Sequence, residues 1–406
     1  MTAPALMPIE QALETLLSTA SARISAEEIT LEQADGRVLL EDIHAAIDVP
    51  PWPNSAMDGY ALCCADQLPG REFEISQRIP AGVAPQALTP GTIARIFTGA
   101  PLPAGADAVV MQENCSVIDG NRVVITQPVT AGENVRRRGS DVRAGSLLLS
   151  AGHRLSPAAL GVLAATGITK VQVGRKPRVA LITSGDELQR PGQTLAPGQI
   201  YDSNRPVLKA LLSRLGLEVV DMGNMPDNRE HTERLLLEAS RQADCIVSSG
   251  GVSAGEEDHV RAAVQTCGRL DVWKLALKPG KPFAFGQLGQ ALFFGLPGNP
   301  VSAYVTFLVL VRPALLRLCG ASQPELSQIM VPSGFDASAS GSRQEYLRVR
   351  LNAGDGSRLP SIVPLPDQSS GILSSVMQAD GLAVIPPYTS VSSGQLLRFL
   401  PFGDIV

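Results

Sequence analysis

The chain has 406 residues, room for two to four domains at about 100–200 residues each, and its 44% hydrophobic and 18% charged content is ordinary for a globular protein. With 34 basic and 39 acidic residues it carries a formal net charge of −5, which argues against a duplex nucleic-acid binder, because such proteins present a basic face. No apolar helix-forming run of 18 residues or more stands out, so no membrane span is expected, and the start Met-Thr-Ala-Pro-Ala-Leu-Met-Pro lacks the basic and apolar regions of a signal peptide.

Residues 9–22 carry apolar side chains at helical spacing, with Ile9, Leu13, Leu16, Leu17 and Ala20 on one side. Residues 38–150 hold short strand-like runs broken by Pro, Gly and Asp, for example 93–97, 108–111 and 122–125. They read as a β-rich unit inserted after the first helix. Within it lies Asp48-Val-Pro-Pro-Trp-Pro-Asn-Ser-Ala-Met-Asp-Gly-Tyr60. Its three prolines fix φ and remove three backbone donors, so a stiff loop presents Trp52, Asn54, Ser55, Met57 and Asp58. An ordinary hairpin turn is the plainer alternative. Further on, Arg136-Arg-Arg138 precedes the turn Gly139-Ser-Asp141. A helix is expected over 155–167, with Ser156 as cap and Pro157 in the first turn.

From residue 177 apolar runs alternate with helical patterns. Strands are expected at 178–183, 217–222, 244–249, 272–277 and 291–295, and helices at 205–215, 229–242, 258–266 and 301–318. Asp202, Ser203 or Asn204 would cap the first of these helices. Alternating units of this length imply a mostly parallel sheet with helices on both faces. After about residue 327 strand-like runs and prolines continue, as in a small antiparallel barrel or sandwich. The chain is rich in turns, with 38 glycines and 31 prolines, a share still short of the roughly 25–30% that marks disorder.

Ligands of open α/β sheets sit at the carboxyl ends of the strands. Four polar, Gly-rich loops fall there: 183–187, 248–255 (with Ser248, Gly250, Gly251 and Ser253), 278–282 (Lys278 and Lys281) and 295–302 (Pro297, Asn299 and Pro300). Glycine lets the backbone approach a ligand, and helix N-termini favour anions. Tight β–α turns would look similar. Neither a Walker motif nor G-x-G-x-x-G is present. Asp186, Glu187, Asp227, Glu256, Glu257 and Asp258 cluster in the same loops. Such oxygen ligands suit Mg²⁺, which takes one or two carboxylates plus substrate phosphates, although Glu256-Glu257-Asp258 could equally be solvated charge and a helix cap. Lys274, Lys278 and Lys281 supply the opposite sign. The six cysteines (63, 64, 115, 245, 267, 319) show no C-x-x-C spacing, and the four histidines (44, 153, 231, 259) are scattered. Reduced thiols of a cytosolic protein are expected, rather than a zinc site or a disulfide framework.

Several segments, taken in order, resemble the molybdopterin molybdenumtransferases (the MoeA family, related to the E domain of gephyrin). They are PPWPNSAMDGYAL (50–62), RIFTGAPLPAGADAVVMQE (95–113), GENVRRRGSDV (132–142), GDEL (185–188), YDSN (201–204), PDN (226–228), SSGGVSAGEEDHV (248–260), KPGKPFAFG (278–286) and GLPGNPVSA (295–303), with looser matches at 345–351 and 368–386. The resemblance implies a multidomain α/β and β protein in four parts. These are a linker and dimerisation part (1–26 and 151–176), a β-rich domain (27–150), a catalytic α/β domain like that of the molybdopterin adenylyltransferases (177–327), and a C-terminal β-barrel (328–406).

The activity it implies takes adenylylated molybdopterin and molybdate, releases AMP with the help of Mg²⁺, and inserts molybdenum at the dithiolene. Asp58, Thr98, Asp141, Glu187, Asp227 and Asp258 would be catalytic, the last three of these as Mg²⁺ ligands. Arg136, Ser248, Gly250, Gly251, Ser253, Pro297, Asn299 and Pro300 would bind substrate. Molybdate, a small dianion, needs cationic and hydroxyl donors held close together, assigned here to Lys274, Lys278 and Lys281 with Arg348 or Arg350 and Ser370. The resemblance further implies a cytoplasmic homodimer with a site shared across subunits, whose partners include the adenylyltransferase and cofactor-accepting chaperones, with neither nucleic acid nor membrane involved. A molybdopterin adenylyltransferase and a gephyrin-like scaffold are the rival functions. The segments beyond a minimal adenylyltransferase argue against the first, and the acidic loops argue against the second.

Overall fold

The computed structural model describes residues 6–21, 23, 25–225, 228–251, 259–354 and 360–405. Helix Ile9–Ser21 buries Ile9, Ala12, Leu16 and Ala20, which fall on one helical face, and packs that face on helix Arg312–Leu318. Strand Ala26–Thr30 then pairs antiparallel with Lys170–Gly174, so the chain returns to its starting point after the β-rich insertion. Helix Pro157–Ala165 begins as its sequence dictates: Ser156 Oγ accepts from Ala159 N, and Pro157 sits in the first turn. The insertion contains a six-stranded sheet in the order Ala108–Met111, Gly59–Leu62, Ile93–Ile96, Glu72–Ile79, Arg122–Ile125, Cys115–Asp119.

The central sheet also has six strands, ordered Glu218–Met225, Arg178–Ser184, Cys245–Ser249, Ala291–Leu296, Pro282–Leu288, Gly268–Lys274. The first four are mutually parallel, and the last two pairings are antiparallel. The sheet is therefore mixed, where the sequence pattern points to a mostly parallel one. The difference lies in Pro282–Leu288, which is assigned no strand from the sequence yet forms a hairpin with Ala291–Leu296. Only Gly289 and Gln290 separate the two, and so short a link can join antiparallel strands only. Both strands are almost wholly buried, with the rings of Phe285 and Phe294 tilted at 5.6 Å.

Residues 300–318 form one continuous helix, Pro300–Leu318, with a mean hydropathy of 1.6. This corrects the expectation that no long apolar run exists. By length and composition it could cross a membrane, but 83% of it is buried inside the protein. Its middle turn, Phe307–Val311, is a π-helix. Pro313 follows and has no N–H to offer Val309 O, and a widened turn just before the proline accommodates that missing donor.

The C-terminal sheet runs Leu277–Lys278, Gln344–Asn352, Gly381–Ile385, Leu396–Pro401, Ile329–Pro332, with Ser361–Pro364 also paired to Gln344–Asn352. Ser333, one residue past Ile329–Pro332, bridges Ile362, so the two free edges meet. Leu277–Lys278 comes from the α/β part of the chain, so this sheet is built directly onto the lysine loop.

Candidate functional site

The carboxyl ends of the central strands open into a cleft of about 980 Å³. Its floor is the row of strand ends and its far wall is residues 368–371 of the C-terminal segment. Of the residues singled out from the sequence, Glu187, Lys278, Lys281, Pro297, Asn299, Pro300 and Ser370 line it.

Glu187 stands exposed at one end. A Cβ on Gly185 would come within 2.5 Å of its carboxylate, so glycine there leaves the carboxylate room. At the other end the lysine loop crosses helix Pro300–Leu318. Gly280 has φ +118°, and a Cβ on it would lie 2.6 Å from Thr306 Oγ1. The bond between Lys278 and Pro279 is cis. Lys278 Nζ pairs with Glu345 Oε1 at 3.0 Å, so an arriving anion competes with a resident carboxylate.

Between these ends the walls are stitched together. Asn204 Nδ2 donates to Ser249 Oγ at 2.8 Å and to Gly298 O at 2.6 Å, and Ser249 Oγ donates to Pro297 O at 3.1 Å. Asn299 Nδ2 donates to Ser370 Oγ at 3.1 Å, and Val301 N to Ser370 O at 3.0 Å. Of the three candidate caps of helix Asn204–Arg214, Asp202 does the work: its Oδ1 accepts from Arg205 N at 3.0 Å. Asn204 is thereby free to bridge the loops.

Other expected ligands sit elsewhere. Arg348 is 1% exposed. Its guanidinium donates to Ser375 Oγ (3.0 Å), Asp367 O (3.2 Å) and Ser369 O (3.0 Å), while its main chain exchanges two hydrogen bonds with the Gln368 amide. Burial pushes the Arg348 pKa below the usual arginine value. Arg348 thus shapes the 367–370 turn from beneath, outside the cleft lining. Arg350, exposed two residues further along the same face, donates to Gln378 O at 3.1 Å, and Lys274 lies outside the lining as well.

Ser248 is fully buried with its Oγ unpartnered. Gly250 and Gly251, at φ +92° and +66°, are there for close approach: a Cβ would lie 2.3 Å from Ser184 O or 2.4 Å from Val260 Cγ2. Asp227, Ser253, Glu256, Glu257 and Asp258 lie outside the described residues. Among the described residues no three His, Cys, Asp or Glu side chains converge as metal ligands. Glu187 and Asp202, the carboxylates of the described lining, give a donor set that fits Mg²⁺ in its sparse form, one or two protein carboxylates with the rest supplied by phosphate and water.

A second constellation lies in the β-rich insertion. Thr98 donates both its N–H and its hydroxyl to Asp58 Oδ1, each at 2.8 Å. Those two bonds, aided by the charge of Arg95, hold the Asp58 carboxyl below the usual carboxylate range. Gly59 must be glycine, because a Cβ would sit 1.9 Å from Val110 O on the neighbouring strand. Trp52 and Met57 stand exposed on the same loop. Asp141 N donates to Val49 O, and Arg136 pairs in register with Asn54, so both flank the proline loop. Beside them Arg138 and Asp48 form an ion pair at 2.5 Å. None of Asp58, Thr98, Arg136 and Asp141 lines the cleft.

Sequence reasoning passed over Tyr201, Asn204 and Gln368 as site residues, although all three line the cleft, and it could not rank Ser369 against Ser370, which both line it. The YDSN run was the available signal for the first two. Gln368 and Ser369 lie in a loosely matching segment with no local chemistry of its own.

Three sequence-family models match the chain: the MoeA N-terminal region (domain I and II) over residues 7–167, a probable molybdopterin binding domain over 180–317, and the MoeA C-terminal region (domain IV) over 331–402. A molybdopterin molybdenumtransferase of Haemophilus influenzae is 41% identical over 319 residues, 78% of this chain and 79% of that protein. One of Nostoc sp. is 37% identical over 381 residues, 91% of this chain and 87% of that protein. Among solved structures, the molybdopterin biosynthesis MoeA protein of Pyrococcus horikoshii superimposes with TM-score 0.80 at 28% identity, covering 98% of this chain and all of the other. Another structure of the MoeA protein from that organism gives TM-score 0.75 at 33% identity, covering 98% and 99%. The near full-length match in sequence and in fold places this chain in the molybdopterin molybdenumtransferase (MoeA) family.

Proposed function

We propose that the protein inserts molybdenum into molybdopterin: adenylylated molybdopterin and molybdate enter the 980 Å³ cleft, water cleaves the phosphoanhydride so that AMP leaves, and the two dithiolene thiols give their protons to one molybdate oxygen, which departs as water and leaves molybdenum on the dithiolene with its oxidation state unchanged. The observation that carries this reading is the meeting, in one cleft, of a cationic loop (Lys278, Lys281), a Pro-Gly-Asn-Pro turn at a helix N-terminus (297–300), a hydroxyl wall (Ser369, Ser370) and a carboxylate (Glu187). A dianion with no hydrophobic handle needs the first and third of these, phosphates favour the second, and Mg²⁺ needs the fourth.

Glu187 would hold Mg²⁺ together with Asp227 and Asp258, and the ion would neutralise phosphate charge as the anhydride breaks. Lys278 and Lys281, with Ser370, hold molybdate. The Gly298-Asn299 turn ahead of helix Pro300–Leu318 would meet the phosphates, since Pro300 has no N–H and Val301 N is already given to Ser370 O. Asp58, fixed in place by Thr98, would be the carboxylate that takes the proton of the attacking water, and Arg136 and Asp141 flank it.

We further infer a homodimer in which the Asp58 loop of one subunit completes the cleft of the other. Two features support it: Asp58 is separate from the cleft in the single chain, and helix Pro157–Ala165, built almost wholly of apolar residues, buries only Ala159 and Leu163. All six cysteines are free, which supports a reducing, cytoplasmic setting.

The test is incubation of the full chain with adenylylated molybdopterin, Mg²⁺ and molybdate while AMP and molybdenum cofactor are measured. AMP release that requires both metal species is expected. No AMP release, or pyrophosphate release from ATP instead, overturns the reading.

A further inference from the structure

Tyr201 has no part in the reaction outlined above, yet its placement is that of a ligand contact. It is the single aromatic among the described residues lining the cleft, and it is 46% exposed. Its hydroxyl donates to Gln193 O at 2.9 Å, which pins the ring at its far end. Its backbone is pinned too, because Ile200–Tyr201 pairs with Leu188–Gln189 and Asp202 N donates to Gln189 O. A flat, half-exposed ring anchored at both ends is a preorganised stacking surface that loses little entropy when a second flat ring covers it.

The strand order says which end of the substrate reaches it. Tyr201 joins the segment that follows strand Arg178–Ser184, and Lys281 immediately precedes Pro282–Leu288. Cys245–Ser249 and Ala291–Leu296 lie between these two strands. Three strand spacings at about 4.8 Å set the two ends roughly 14 Å apart. The helix N-terminus at 297–300 lies between them. A molecule whose oxyanion-accepting dithiolene lies at the lysines and whose pyrophosphate crosses that N-terminus extends its adenosine toward Tyr201.

Resting on the proposed function above, we propose that Tyr201 is the stacking platform for the adenine of adenylylated molybdopterin and of the AMP it releases. It sets the preference for an adenylylated substrate over a bare phosphate ester.

Calorimetric titration of the full-length protein with AMP and with ribose 5-phosphate, which lacks the base, tests this. Losing a stacked base to alanine costs on the order of 10- to 100-fold in affinity. Tyr201→Ala and Tyr201→Leu are expected to weaken AMP by that factor and ribose 5-phosphate by less than about 2-fold, with thermal midpoints matching the parent. Tyr201→Phe, which keeps the ring, stays within about 3-fold of the parent for AMP. Unchanged AMP affinity in the Ala and Leu variants overturns the proposal. So does equal loss of both ligands. AMP release by the parent is assayed in parallel. Normal release with Tyr201-independent AMP binding sinks the platform alone. Absent release sinks the catalytic reading, while base-selective AMP binding lost in Tyr201→Ala would still uphold a purine platform.

Discussion

Asn299 Nδ2 donates to Ser370 Oγ at 3.1 Å, and this contact is one of two that join the C-terminal segment to the start of helix Pro300–Leu318. The other, Val301 N to Ser370 O, is main-chain and survives mutation. Ser370→Ala therefore keeps the wall in place and removes one hydroxyl. A typical hydrogen bond contributes about 1 kcal/mol net, so the molybdate concentration giving half-maximal AMP release should rise about 5-fold, with AMP affinity unchanged. Asn299→Ala should give a smaller rise, and the double variant should match Ser370→Ala, because both changes remove one shared contact.

Arg348 predicts the opposite balance. Its buried guanidinium serves Ser375 Oγ and two carbonyls of the 367–369 turn, so Arg348→Ala leaves buried acceptors bare. Breaking such a network costs about 3 kcal/mol, and urea denaturation should show that loss. Lysine lacks the planar fork and should recover little of it. Arg350→Ala, at an exposed position, should leave urea stability unchanged and molybdate dependence within about 2-fold of the parent. A molybdate shift in Arg350→Ala alone would return the anion site to that residue.

These two arginines also show where sequence reading stops. Tyr346, Arg348 and Arg350 alternate along one strand and share a face, so nothing local separates them. Arg348 is buried because its partners arrive from residues 367–375, a long-range event. Strands such as Cys245–Ser249 were legible because an uninterrupted apolar run that ends in serine and glycine has few other uses. Pro282–Leu288 was not, because its Pro-Phe-Ala-Phe-Gly run shows no alternation when both faces are buried. The loops that line the cleft could be named from their glycines, and Glu187 and the lysines from their charge. Asn204 is marked only as a candidate cap and as part of the YDSN run, because its role is to span two loops that meet only in the fold.

Gly280 links backbone conformation to chemistry. At φ +118°, with Thr306 Oγ1 2.6 Å from any Cβ, alanine must move the loop. Strain in a region few side chains adopt costs on the order of 1–3 kcal/mol. Gly280→Ala should displace Lys278 and Lys281, raising the half-saturating molybdate concentration on the order of 10-fold while AMP binding holds. Equal weakening of AMP and molybdate would assign the lysine loop to the phosphate site instead.

The pair Thr98 and Asp58 gives a pH prediction. The folded carboxyl is held below its ordinary value, first by the Thr98 N–H and then by its hydroxyl. A depressed carboxylate contributes stability that is fully present above the unfolded value, about 3.9, and is lost as pH falls through the folded one. Thr98→Val removes the hydroxyl and keeps the N–H. The acid limb of AMP release should then move upward, toward the ordinary carboxylate range, and because less stability now depends on the Asp58 charge, stability should fall less steeply with pH below about 4 than in the parent. At pH 7 Asp58 is ionised in both proteins, so any rate loss there measures misplacement of the carboxylate. An unmoved acid limb would remove Asp58 from the proton-transfer role.

The proposed dimer can be tested by complementation. Asp58 belongs to the proline loop of the insertion and Lys278 to the cleft, and in one chain the cleft lining includes Lys278 but none of the Asp58 group. If the site is shared, Asp58→Ala spoils one contribution and Lys278→Ala the other. Homodimers of either should be slower by at least about 10²-fold, near 2.7 kcal/mol at 1.36 kcal/mol per decade. A heterodimer of the two variants holds one site lacking both groups and one site with both intact. Differently tagged chains, co-expressed and purified through both tags, should therefore recover close to half of the parental AMP release per dimer. If Asp58 served the cleft of its own chain, each site of the heterodimer would carry one defect and no recovery would follow. Sedimentation of the parent completes the test, because a monomer that still releases AMP at the normal rate would rule out a shared site.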